Sequence, residues 1–227
     1  MTRFSHVFFP ILIMVFMIAA LAGTLLLAPT ERTMGDVQRI FYFHLASAAG
    51  AFVCFTCVLI ASIGFILRRI TVWDNLAVSA AEVGLLFATF VLITGPLWAR
   101  PTWGQWWVWD PRLATTLILW FLYAGYLVLR QAMPGYRGAM AAAVFAILAY
   151  VDVPVVYFSV VWWRGIHPQV LGGGGLDPDM VTPLLISVAA FVLLSWALIR
   201  ERFYLANAAD NVDRIAVALE DVSSWVI

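Results

Sequence analysis

The sequence contains no lysine, and all thirteen of its basic side chains are arginine. Charged residues of either sign make up only 11% of the chain, whereas soluble domains carry about 25%. Acidic and basic residues balance to a formal net charge of zero, so no overall positive field exists to attract nucleic acid. These shortages exclude a soluble domain of ordinary composition and argue against a nucleic-acid-binding protein.

Cysteine is also scarce, because Cys54 and Cys57 are the only two in the chain. They form a C-x-x-C motif, which redox proteins use when the thiols are exposed and have a low pKa. Here the motif lies inside an apolar run, so we interpret the pair as two small buried hydrophobic residues. A redox pair is the alternative interpretation.

Hydrophobic residues, by contrast, make up 64% of the chain. A helix needs about 20 apolar residues to cross a bilayer. Six stretches reach or approach this length, at 7–28, 41–67, 76–98, 113–129, 139–161 and 181–199. The first is longer than the apolar core of a signal peptide and is followed by five more, so it is predicted to be an anchor. We therefore predict an all-α integral membrane protein with six transmembrane helices in residues 1–199 and a cytoplasmic tail at 200–227.

The placement of arginine predicts the orientation of these spans. If the N-terminus lies inside, the inner segments hold eight arginines: Arg3, Arg68, Arg69, Arg130, Arg137, Arg200, Arg202 and Arg214. The outer segments then hold five: Arg32, Arg39, Arg100, Arg112 and Arg164. Because positive residues are enriched on the cytoplasmic side, both termini are predicted to be cytoplasmic. Segments 39–44, 98–112 and 162–168 would then share the outer face.

Segment 98–112 holds five of the eleven tryptophans. If residues 102–110 are helical, one helix face carries Trp103, Trp106, Trp107 and Asp110. We therefore predict a short Trp-rich interfacial helix on the outer face. Such a platform suits a large, flat, apolar ligand, because indole rings stack on conjugated rings. An aromatic belt at the lipid interface is the alternative interpretation.

The chain has only three histidines, His6, His44 and His167. His6 lies near the cytoplasmic N-terminus and is expected to be inert. His44 and His167 lie at the outer boundary and flank the Trp-rich segment. Two imidazoles beside an aromatic platform match a haem iron with two histidine ligands. For either histidine alone, a polar tip among lipid headgroups would be the simpler interpretation.

Several charged residues border this predicted site. Arg39 and Arg112 are expected to pair with the anionic propionates of haem, with Arg100 and Arg164 as further candidates. Snorkelling to phosphate headgroups is the alternative role for each arginine. Asp110 is expected to cap a helix or to orient a neighbour, most simply by pairing with Arg112 or Arg100.

Two further acidic residues, Glu82 and Asp152, fall inside predicted spans. Ionisable groups at membrane depth are costly and often functional. We interpret both as partners in hydrogen bonds between helices, with a functional role as the alternative.

Residues 103–112, which read WGQWWVWDPR, resemble the tryptophan-rich WWD signature of the haem-handling proteins. The likeness extends over nearly the whole chain, through Arg39 five residues before His44 and through the stretch VVYFSVVWW at 155–163, which leads to His167. Within that group the chain is similar to the CcmC family, the haem-delivery component of cytochrome c maturation. Larger relatives have more spans and additional intramembrane histidines, which this sequence does not have.

The resemblance implies that His44 and His167 are the axial ligands of a non-covalently bound haem b. It also implies a set of side chains that hold the macrocycle: Trp103, Trp106, Trp107, Trp109, Asp110, Arg39 and Arg112. The expected location is the bacterial inner membrane, with the haem site facing the periplasm. The expected partners are a periplasmic haem chaperone, ABC-transporter subunits, a small single-span protein and membrane lipid.

Two other classes of function compete with haem binding and transfer. One is an enzyme, such as a haem-dependent quinol oxidoreductase or the lyase that attaches haem. Such an enzyme would need a second redox centre or a well-placed nucleophilic thiol, and neither is evident in the sequence. A membrane transporter or permease subunit moving haem or a small apolar solute usually shows repeated halves and broken helices, and no such pair is evident. We therefore predict a binding and transfer protein that is not an enzyme, with haem lyase activity left open.

Overall fold

The computed structural model of the chain describes residues 3–32, 34–163, 165–168 and 176–224. Within these ranges the chain forms seven α-helices: α1 (Arg3–Ala22), α2 (Ile40–Arg68), α3 (Thr71–Trp103), α4 (Pro111–Ala132), α5 (Tyr136–Tyr150), α6 (Asp152–Trp162) and α7 (Pro178–Ser224). A π-helical turn, Gly23–Leu27, extends α1, and a 3-10 turn, Asp36–Arg39, precedes α2. Six helical stretches are long and apolar enough to cross a membrane, with α5 and α6 together forming one. The prediction of an all-α, six-span membrane protein is confirmed.

The fourth span is longer than the 17 residues that the sequence predicted. Helix α4 has 22 residues, which correspond to about 33 Å at 1.5 Å per residue. Its start is defined locally, because Asp110 accepts a hydrogen bond from the Arg112 amide and Pro111 occupies the first turn, where a missing N–H costs nothing. This helix can therefore cross the roughly 30 Å hydrocarbon layer.

The fifth span is not one continuous helix, since α5 ends at Tyr150 and α6 begins at Asp152. Pro154 explains the interruption, because it lacks the N–H that would bond to the Tyr150 carbonyl four residues earlier. At the break between the two helices, the Val151 amide bonds to the Leu148 carbonyl, three residues earlier, at 3.1 Å. Asp152 thus lies at the start of α6, and its Oδ2 is buried without a hydrogen-bond partner among the described residues.

The sixth span continues without a break into the predicted tail, because α7 runs for 47 residues from Pro178 to Ser224. The segment at 200–224, which was predicted to be a separate tail, is therefore a helical extension of the span. Its polar face packs against the start of α3, where the Asn75 amide group donates to Asn207 at 3.1 Å and to Asp210 at 2.7 Å.

Two acidic residues at this end of the bundle form ion pairs between helices. The Arg202 guanidinium binds both carboxylate oxygens of Glu82, at 2.5 and 2.9 Å. Arg130 pairs with the buried carboxylate of Asp74 at 2.6 Å. The interpretation of Glu82 as a bonding partner between helices is confirmed.

The core lies where α2 packs against α3 and α4. Phe55 of α2 stacks on Tyr123 of α4, with ring centroids 3.7 Å apart. A β-carbon at Gly84 of α3 would lie only 2.6 Å from the Phe55 ring, so the glycine permits the close approach of α2 and α3. Cys54 is fully buried in the same cluster, and both cysteines are free thiols, as the packing interpretation of the C-x-x-C motif predicts.

Candidate functional site

Three connections between helices lie at one end of the bundle, and their described residues are 28–32 and 34–39, 104–110, and 163, 165–168 and 176–177. This arrangement follows from successive helices that cross the bundle in alternating directions. Arg39, just before α2, donates to the Leu25 carbonyl at 2.9 Å and so ties the first connection to the end of α1.

Specific contacts bring the three connections together. The Ile166 amide donates to the Asp110 carboxylate at 2.8 Å and thereby joins the second and third connections. The Gln38 amide group lies 3.8 Å from the sulfur of Met180, which joins the first connection to the start of α7. The predicted convergence of the three segments on one end is therefore present in the fold.

His44 lies in the second turn of α2, half-buried, with its Nδ1 2.8 Å from the Thr94 hydroxyl of α3. That hydroxyl has one proton, which it donates to the Phe90 carbonyl at 2.7 Å. With the hydroxyl proton directed to Phe90, the Thr94 oxygen accepts from His44, and Nδ1 carries the imidazole proton. The lone pair of the imidazole is then on Nε2.

His167 lies on the third connection and is also half-buried. Its Nδ1 is 3.2 Å from the Pro168 carbonyl, which can only accept a hydrogen bond. Nδ1 is again the protonated nitrogen, and Nε2 carries the lone pair. The ring lies edge-to-face with Trp103, with centroids 6.4 Å apart.

Arg112, in the first turn of α4, is within electrostatic range of both imidazoles. Burial lowers the pKa of His167, and the positive charge of Arg112 lowers it further; the bond to Pro168 and the charge of Asp110 oppose this shift. His167 is therefore neutral at physiological pH, which is the form that binds metals. One Arg112 Nη donates to the Tyr157 carbonyl at 2.7 Å, whereas its buried Nε has no partner among the described residues.

The predicted interfacial helix at 102–110 is wrong. Helix α3 ends at Trp103, and Gly104 takes a left-handed conformation with φ of 74° that terminates it. Asp110 is extended, with ψ of 145°, as the residue before Pro111 must be. The five residues between these two constraints are not helical, so the predicted shared face of Trp103, Trp106, Trp107 and Asp110 does not form.

The tryptophans instead divide into two groups. Trp103 is half-buried at the end of α3, 5.2 Å from the ring of Trp98 and in contact with His167. Trp107 is half-buried and lies edge-to-face with Trp109 at 5.8 Å. Trp106 and Trp109 are 57% and 80% exposed. Among the described residues, Trp103 is thus the tryptophan of this segment that has a ring contact with a candidate ligand.

The remaining predicted site residues have contacts within the protein. Asp110 is 5% exposed and accepts from the Arg112 amide at 2.9 Å, so its predicted capping role is confirmed. The Arg100 guanidinium donates to the Gly104 carbonyl, and not to Asp110 as one alternative predicted. Arg39 pairs with Asp36 at 3.1 Å. Arg164 lies outside the described residues.

Two residues that the sequence interpretation missed support the candidate ligands. Thr94 holds His44, and Gly165 lies against Asp110 where a β-carbon would overlap the carboxylate. The sequence offers no signal for Thr94. Thr89, one and a half turns earlier in α3, is the same residue type, but it bonds to Trp120 and not to a candidate ligand. For Gly165, the one available signal of a role at the site was its position two residues before His167.

Comparison with known proteins gives an independent result. A family model described as heme exporter protein C matches residues 1–216 of the chain. The heme exporter protein C of Bradyrhizobium diazoefficiens is 36% identical over 173 residues, which cover 74% of this chain and 66% of that protein. The Escherichia coli K12 protein of the same name is 36% identical over 176 residues, covering 74% and 69%.

A third relative, the heme exporter protein C of Haemophilus influenzae, is 33% identical over 191 residues, covering 82% of this chain and 78% of that protein. The alignment with the Bradyrhizobium protein spans about two thirds of that relative's length. The resemblance first indicated by the tryptophan segment is confirmed, and the chain belongs to the heme exporter protein C family.

Proposed function

We propose that this protein binds haem at the outer face of the membrane and delivers it to a periplasmic haem chaperone for the biogenesis of c-type cytochromes. The observation that carries the proposal is the state of the two imidazoles. Each is held through Nδ1, by Thr94 or by the Pro168 carbonyl, so each has an Nε2 lone pair for a metal. Bis-histidine ligation through Nε2 needs this tautomer at both positions.

The residues around the histidines fit haem as a cargo. The unpartnered, buried Nε of Arg112 indicates a guanidinium whose bonding is incomplete without an anionic group, such as a propionate. Arg39 would supply a second positive charge at the same end of the bundle. Trp103 would contact the macrocycle beside His167, and Trp106, Trp107 and Trp109 would cover it with indole surface.

Two features favour reversible binding over covalent attachment. A thioether bond to haem requires a thiol beside the macrocycle, and Cys54 lies ten residues beyond His44 on α2, about 15 Å along the helix. Trp106 and Trp109 are largely exposed, so a second protein could reach a haem that rests on them. We therefore propose that haem b is held non-covalently and that the protein transfers it without turnover chemistry of its own.

The proposed setting is the bacterial inner membrane, with both termini in the cytoplasm and the haem site facing the periplasm. The proposed partners are the periplasmic haem chaperone, ABC-transporter subunits and a small single-span protein, with lipid around the spans. The name that the bacterial relatives share, heme exporter protein C, supports this assignment.

The proposal is tested by purifying the protein and recording its visible spectrum, then mixing the haem-loaded protein with apo-chaperone. We expect the Soret and α bands of a six-coordinate, low-spin haem, and transfer of haem to the chaperone. A protein that never contains haem would contradict the proposal and would favour a transporter or scaffold. Reduction of quinone or attachment of haem to an apocytochrome by the protein alone would indicate an enzyme.

The orientation of the chain in the membrane gives a separate prediction. In a background without Cys54 and Cys57, single cysteines at Gln105 and Gln169 should react with a membrane-impermeant maleimide added to intact spheroplasts. A cysteine at Arg137, in the first turn of α5, should react only after the membrane is permeabilised. Opposite accessibility of positions 105 and 169 would place the Trp-rich connection and His167 on opposite faces of the membrane and contradict a single outward-facing site.

Thr94 gives a prediction on the tautomer. The substitution Thr94→Val keeps the size of the side chain but removes the acceptor of the His44 Nδ1–H. Since loss of such an outer partner typically weakens metal binding by about 10- to 100-fold, we expect a drop of this order in haem affinity. The control is Thr116→Val on α4, whose hydroxyl also donates to a carbonyl four residues back, at 2.7 Å. Equal haem affinity in the two variants would contradict the role of Thr94.

A further inference from the structure

The Asp110 carboxylate bonds to two different parts of the chain through its two oxygens. Its Oδ1 accepts from the Arg112 amide at 2.9 Å and caps α4, whereas its Oδ2 accepts from the Ile166 amide at 2.8 Å. The second bond crosses from the Trp-rich connection to the connection that bears His167. The side chain is 5% exposed, so water does not compete strongly for these bonds.

The neighbouring glycine shows how close this contact is. A β-carbon at Gly165 would overlap the Asp110 carboxylate, so only glycine allows the backbone to approach it. The Ile166 side chain is itself 57% exposed, so its packing does little to hold the segment. The backbone bond to Asp110 is thus the specific contact immediately before His167.

We infer that Asp110 is the positioning residue for His167, and that it acts through the backbone of Gly165 and Ile166 without itself touching the cargo. This inference rests on the proposed function and replaces the expectation that Asp110 is a haem contact. The two candidate ligands are then held differently. His44 is fixed on a helix by Thr94, whereas the position of His167 depends on one carboxylate at the start of α4.

The first test uses the apo-protein and does not depend on haem. Hydrogen–deuterium exchange is measured for peptides covering residues 165–168 in wild type, Asp110→Ala and Gly165→Ala. We expect exchange about tenfold faster or more in both variants, because a hydrogen bond to a charged acceptor contributes enough to change local opening by that factor. In Gly165→Ala the first turn of α4 should stay protected, since its cap is intact.

A matched control and a double variant separate positioning from general loss of structure. Asp177→Ala removes an exposed carboxylate at the start of α7 that likewise accepts from the amide two residues later, Asp179, at 2.9 Å, and it should leave exchange at residues 165–168 unchanged. In the double variant Asp110→Ala/Gly165→Ala, the added methyl group no longer meets a carboxylate. Exchange in the double variant should therefore equal that of Asp110→Ala alone.

The second test reads the ligand directly in the haem-loaded protein. Asp110→Ala should give a mixture of high-spin and low-spin haem, and added imidazole should restore the low-spin spectrum by filling the position that His167 leaves. Unchanged exchange at 165–168 in both single variants would overturn the inference. Faster exchange with a fully low-spin haem would also overturn it, while leaving the proposed function intact. If wild type binds no haem, the proposed function fails and Asp110 positions no ligand, even if the exchange result stands.

Discussion

Replacing either His44 or His167 with alanine is expected to abolish the low-spin haem spectrum. Each variant should leave one axial position without a protein ligand, so the haem becomes five-coordinate and weakly held. The affinity should fall by about 100-fold or more, because loss of even an outer partner of a ligand costs about 10- to 100-fold. The measurement is the Soret and α-band spectrum of the purified variants, with haem content determined per polypeptide.

The matched control is His6→Ala, which removes the third histidine of the chain and is expected to leave the spectrum unchanged. Glycine variants at 44 and 167 supplied with free imidazole provide a second check, since an external ligand should restore the band positions. Wild-type spectra in both single alanine variants would show that the iron is bound elsewhere. Loss of haem in His6→Ala alone would lead to the same conclusion.

Replacing Trp103, Trp106 and Trp107 together with alanine is expected to abolish haem retention while the protein still inserts into the membrane. Each indole should contribute on the order of 1 kcal/mol beyond its buried area, so three together correspond to roughly 100-fold or more in affinity. Single changes to phenylalanine should be mild, and the change at Trp103 should be the largest of the three. Trp103 is half-buried and contacts His167, whereas Trp106 is 57% exposed.

The control for this variant is Trp162→Ala/Trp163→Ala at the end of α6. Both tryptophans are more than half exposed, like Trp106, but they belong to a different segment. If the Trp-rich segment is only an aromatic belt, the α6 variant should perturb the protein as much as the triple variant does. Normal haem content in the triple variant would leave the belt as the remaining interpretation.

Much of the fold follows from apolar runs that are long enough to cross a membrane. The helices α2 and α3 contain the predicted spans almost symmetrically, and α3 continues through Pro96 without a break. The break at Val151 was not predicted, although Pro154 provided the signal for it. The length of α7 was also missed, because charged residues after Ile199 end an apolar run without ending a helix.

The local structure of the candidate site was predicted incorrectly, and the roles assigned to its residues stay predictions. Helical spacing of the tryptophans is a weaker constraint than the conformations that Gly104 and Pro111 impose, and these two residues determine the backbone of the segment. The bond between Thr94 and His44 joins two helices, so no local pattern reveals it. The second contact of Asp110 joins residues 56 positions apart and is equally invisible in the sequence.

The most direct test of bis-histidine haem binding is whether two imidazole Nε2 atoms bind one iron. The protein is loaded with haem, purified from cells supplied with histidine labelled with ¹⁵N at Nε2, and measured in the ferric state by pulsed electron paramagnetic resonance. We expect two couplings from axial, directly bound ¹⁵N atoms on a low-spin iron. One should be lost in each of His44→Ala and His167→Ala, and both should be lost when the label is moved to Nδ1. A single axial ¹⁵N coupling in wild type, or couplings that persist in both variants, would contradict bis-histidine haem binding.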